Sequence, residues 1–99
     1  MAELRFTQDG NKYAFDPDTI TTLEAIELKK MTGYTVPAWS EAMGEMDAEA
    51  FRALVWLARK RAGDTPPGRY SDFDFPLVEV AQSFEVDEED EQDPTPAAT

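Results

Sequence analysis

Ninety-nine residues suit a single domain with a small core and thin stability. The chain has no cysteine and no histidine. This excludes a disulfide, a thiolate nucleophile and a Ser-His-Asp triad, and it removes the usual ligands of zinc, copper and haem. A net charge of −12 argues against binding nucleic acid through its phosphates.

The opening MAELRFTQDG has no basic segment ahead of an apolar run, so no signal peptide is expected. The longest apolar run, Ala53 to Ala58, is too short to span a bilayer, and the expected location is the cytoplasm. Leu4 and Phe6, then Tyr13 and Phe15, alternate with polar neighbours around Asp9-Gly10. Strand periodicity on both sides of a pair that favours positive φ predicts a β-hairpin, which Asp16-Pro17-Asp18 ends.

A first helix is expected over about Thr22 to Thr32. Thr21 and Glu24 would form a capping box, Lys29 and Lys30 fall in the last turn, and Gly33 follows the end. Leu23, Ile26 and Met31 are expected to face inward, with Leu28 on a flank. A short second helix starts at a Thr35 cap with Pro37 in its first turn, carries Trp39 and Met43 one turn apart, and ends at Gly44. The third helix has the strongest pattern: Asp47 caps it, Arg59, Lys60 and Arg61 crowd its last turn, and Gly63 stops it. Phe51, Leu54, Val55, Ala58 and Ala62 form its apolar stripe, widened by Ala50 and Leu57. Pro66-Pro67-Gly68 is a loop. Beyond Arg69 a short helix near Pro76, capped from Ser71 or Asp74, competes with strand-like alternation of Phe73, Phe75 and Leu77; the helix is preferred.

Glu85, Asp87, Glu88, Glu89, Asp90, Glu91 and Asp93 then follow, with no Lys or Arg after Arg69. Self-repulsion and low hydrophobicity predict disorder there. The expected architecture is therefore a mainly α domain over 1–85, of three to four helices with an N-terminal β-hairpin, followed by a disordered acidic tail over 86–99.

Chemistry-bearing patterns are sparse. Asp16/Asp18 and Asp72/Asp74 each make a D-x-D, which could hold Mg²⁺ or Ca²⁺. Neither sits in an EF-hand context, and both lie where turns or caps use aspartate; no metal or cofactor is expected. Ser40, Ser71 and Ser83 lack a base, and the five glycines form no phosphate loop. No catalytic residue is expected, and the protein reads as a non-enzyme.

Trp56 falls nearly opposite the stripe of the third helix, with Arg52, Arg59 and Lys60 one turn away. Either the hairpin or the segment after Arg69 covers it, with the cationic stems packed alongside, or it is an exposed anchor for a partner. Trp39, Met43 and Met46 carry the same two readings, core or an adaptable groove for an apolar helix. The candidate partner-binding residues are thus Trp39, Met43, Trp56, Arg52, Arg59 and Lys60.

The segments LEAIELKKMTGYTVPAWSEAM and EMDAEAFRALVWLARKRAG run over Leu23 to Gly63. They show a helix ending in Thr-Gly, a short Trp-bearing helix, an acidic cap, and a helix with an Ala-Leu-Val-Trp-Leu-Ala core that ends in Arg-Ala-Gly. This order resembles the small tail assembly chaperones of actinobacterial phages with long tails. The resemblance covers less than half the chain and is structural rather than catalytic. It implies a non-enzymatic protein that binds the tape measure protein, or another phage tail protein, during tail assembly in the host cytoplasm, with self-association as a further option. It also implies a longer frameshifted form in some phages. A virion component such as a connector, or an acidic DNA mimic that inhibits a host protein, are the alternatives.

Overall fold

A computed structural model of the chain describes residues 3–87. Two strands, β1 (Glu3–Gln8) and β2 (Asn11–Phe15), form the hairpin in antiparallel register, with Leu4 opposite Phe15 and Phe6 opposite Tyr13. Asp9 and Gly10 both have positive φ, 56° and 79°, as a two-residue hairpin turn requires. A single 3-10 turn at Pro17–Thr19 leads out of the hairpin, with the Asp16 carboxylate accepting from the Asp18 amide.

Four helices follow: α1 (Thr22–Thr32), α2 (Val36–Gly44), α3 (Ala48–Arg61) and α4 (Leu77–Gln82). The first three begin at the expected caps. Thr21 and Glu24 complete a capping box, Thr35 accepts from the Ala38 amide, and Asp47 accepts from the Ala50 amide. Gly33 and Gly63 take the left-handed conformation just past α1 and α3, as expected.

Gly44 ends α2, as expected, but it does not take the left-handed position, which falls two residues later on Met46, whose φ is 59°. The Met46 amide donates to Met43 O and the Asp47 amide to Ala42 O, so Met46 holds the left-handed position usually given to glycine. Neither Ser71 nor Asp74 caps α4, which starts at Pro76 with no side-chain cap. The Asp74 carboxylate instead accepts from the neighbouring Phe75 amide.

A third strand, β3 (Glu85–Asp87), pairs antiparallel with β1 and completes a sheet of order β2-β1-β3. This strand lies across the expected boundary at 85. The acidic run Glu85 to Asp93 carries no strand periodicity, so only its register against β1 reveals the strand. The rest of the expected tail, 88–99, lies outside the described residues.

Helix α3 is the centre of the molecule and packs against β2, α1 and α2, while α4 lies against β1. Its residues Ala50, Phe51 and Ala53 to Ala58 are all buried, so the burial is a belt rather than the single expected stripe. Ala62, placed in that stripe, is exposed. Phe84 stacks on both Phe6 (5.9 Å) and Phe51 (5.4 Å), which ties the end of the fold to hairpin and α3 together.

The rotation of α1 differs from expectation. Leu28 is fully buried, whereas Leu23 is 78 % and Ile26 48 % exposed. The cause lies in the polar residues. Glu24 pairs with Arg61 (2.6 Å) and Glu27 with Lys60 (2.9 Å), both on α3. These two carboxylates lie one turn or less from Leu28 and bring that side of α1 to α3.

Candidate functional site

Trp39 is fully buried: its ring meets Phe15 edge-on at 5.9 Å, and its Nε1 donates to Ala50 O (3.0 Å). Met43 is half-buried against the same core. Trp56 is 7 % exposed, held edge-on by Tyr70 (5.4 Å) and Phe73 (5.6 Å), and its Nε1 donates to Glu27 (3.3 Å). The segment after Arg69 covers Trp56, so neither tryptophan offers a solvent-facing anchor.

The three cations around Trp56 are also engaged. Arg52 pairs with Glu49 (2.8 Å), donates to Ser71 O (3.3 Å) and lies over the Tyr70 ring. Arg59 donates to Gln8 (3.0 Å) and pairs with Asp64 (3.2 Å). Lys60 is held by Glu27. These contacts join α3 to the hairpin, to α1 and to the covering segment. Of the expected partner-binding set, Trp56, Arg52, Arg59 and Lys60 are thus held by these contacts, while Trp39 and Met43 belong to the core around Phe15 and Ala50.

All three tyrosines dock on carboxylates at the ends of α3. Tyr34 donates to Asp47 (2.5 Å), Tyr13 to Asp64 (2.5 Å), and Tyr70 to Glu49. The bond from Tyr34, then the Ala50 amide, hold the Asp47 carboxyl below its ordinary range. The same bond raises the Tyr34 hydroxyl to about 12. The Tyr13 bond lowers Asp64, and burial, then Asp64, raise Tyr13. For Glu24, burial pushes upward, but the bonds from Arg61 and Thr21 outweigh it and lower the group.

The D-x-D aspartates serve local geometry: Asp16 closes a turn, Asp72 pairs with Arg69 (3.2 Å), and Asp74 accepts from the next amide. Among the described residues no group of three or more carboxylates is placed to hold a metal ion, and no helix is long and apolar enough to cross a membrane.

The apolar side chains left at the surface are others: Leu23 and Ile26 on α1, Met46 after α2, and Val78 on α4. Leu23 rims a shallow groove floored by Leu57 and flanked by the Glu24–Arg61 and Glu27–Lys60 pairs. Periodicity sends Leu23 and Ile26 to the core. The signal against it was the acidic pair Glu24/Glu27, which matches the basic end of α3.

Comparison of the chain with protein-family models, curated proteins and solved structures returns no match.

Proposed function

We propose that the chain is a non-enzymatic tail assembly chaperone of a long-tailed bacteriophage, which keeps the tape measure protein in solution in the host cytoplasm while the tail assembles. The resemblance over Leu23 to Gly63 motivates this reading. The observation that carries it is the uncovered pair Leu23 and Ile26 on α1. The two tryptophans of the resembling pattern are internal, so they act as a frame that presents α1. Burying a fully exposed Leu or Ile contributes about 1.5–3 kcal/mol, and these two contribute less than that because Ile26 is already half covered and Leu23 partly so. Two such contacts give the weak, repeatable binding that suits a protein coating a long apolar chain and then leaving it.

Co-expression with the tape measure protein tests the reading. The wild-type chain is expected to bring it into the soluble fraction, and Leu23→Ser with Ile26→Ser to lose it while remaining folded, because both positions are exposed. If the wild type does not hold the tape measure protein in solution, the reading falls. Recovery of the chain from purified particles would instead make it a virion component.

A further inference from the structure

The solvent face of α1 has a definite chemistry. Leu23, Ile26 and Lys30 lie at i, i+3 and i+7, opposite the buried Leu28, with the exposed Lys29 beside them. The two acids of α1, Glu24 and Glu27, are turned toward α3 and paired there. Arg5, Arg52, Arg59, Lys60, Arg61 and Arg69 all have carboxylate partners, whereas Lys29, Lys30 and, on β2, Lys12 have none among the described residues. A chain of net charge −12 thus keeps one face that is apolar and cationic, and the acids that border it beside Leu23, Glu24 and Glu27, are already paired with Arg61 and Lys60. The helix dipole accounts for cations in this last turn. It does not account for two uncovered apolar side chains in line with them.

We propose that this face docks an acidic amphipathic helix. The partner's apolar stripe would cover Leu23 and Ile26, and its carboxylates would reach Lys29 and Lys30. The overall charge of the chain opposes an acidic partner at long range, but that field is screened beyond about 8–10 Å at physiological salt. Contact charges therefore decide, and they select against a basic helix. The inference rests on the reading of the chain as a binder of helical segments and names the class of segment it takes.

The test uses the full chain, isotopically labelled, titrated with two synthetic peptides of about 18 residues, roughly five helical turns. Both carry the same leucine stripe; one is flanked by glutamates, the other by lysines. The acidic peptide is expected to shift the α1 amides saturably and to bind more tightly than the basic one. Lys29→Glu with Lys30→Glu should weaken it by about tenfold or more and reverse the preference. Absence of saturable shifts, tighter binding of the basic peptide, or shifts confined to α4 around Val78 would each overturn the proposal. So would α1 shifts on deleting residues 88–99 with no peptide present, because the chain's own acids would then be the occupant. If the peptides fail while co-expression still solubilises the tape measure protein, only the docking face is lost. If the acidic peptide binds while co-expression fails, only the chaperone reading is lost.

Discussion

At Trp56 helical spacing and tertiary packing disagree. Its position around α3 is nearly opposite Leu54, Val55 and Ala58, yet Tyr70 and Phe73 close over it. Those rings come from a segment separated from α3 by a proline-glycine loop, so no window along the helix could reveal the cover. Trp56→Ala should cost about 3–5 kcal/mol, and Leu54→Ala on the opposite side about 2–5 kcal/mol. Urea unfolding measures both. A loss at Trp56 under about 0.5 kcal/mol, the size of a surface change, would mean that the covering segment does not pack in solution. The caps behave differently. Thr21, Thr35 and Asp47 act where the sequence places them because a cap is decided within four residues. Met46 marks the limit of such reading, since α2 stops at Gly44 but the left-handed turn falls on a methionine two residues later.

The helices were readable as elements but not as oriented objects. The bounds of α1 and α3 follow from caps and glycines, whereas the rotation of α1 depends on Glu24 and Glu27 meeting Arg61 and Lys60 across 33 to 37 residues of chain. The tyrosine–carboxylate bonds are equally non-local, and they tie the hairpin, the α1–α2 connection and the segment after Arg69 to the ends of α3. Their pH behaviour follows from the shifts. Asp47 is lowered in the fold, so its contribution is full above the ordinary carboxylate value of about 3.9 and is lost as pH falls through the lower folded value. Tyr34 is raised to about 12, so its contribution is full below about pH 10 and is lost as pH climbs from there through its folded value. Tyr34→Phe removes this bond. The stability gap between wild type and Tyr34→Phe should therefore be widest from about pH 4 to 10 and shrink on both sides. Urea midpoints at acid, neutral and alkaline pH would show it. A gap that stays constant across all three would mean that the Asp47 bond is not formed.

Charge is partitioned across the molecule rather than spread over it. Within the described residues most cations are spent on internal pairs, and α1 alone presents lysines beside uncovered apolar groups. The acids Glu88, Glu89, Asp90, Glu91 and Asp93 come after the last strand, with no cation among them. An acidic segment repels an acidic partner weakly at physiological salt, and it offers nothing apolar beyond alanine to a helix. Its expected contribution is to keep a complex of apolar chains apart from other complexes, since acidic residues favour solubility. Deleting residues 88–99 should then leave affinity for the acidic amphipathic peptide within about threefold, well under the tenfold that 1.4 kcal/mol represents. The same deletion should make the co-expressed complex scatter light and precipitate at lower concentration. Titration and turbidity separate the two effects. A tenfold loss of affinity on truncation would turn these acids from a solubiliser into part of the contact, and unchanged turbidity would remove the solubilising role.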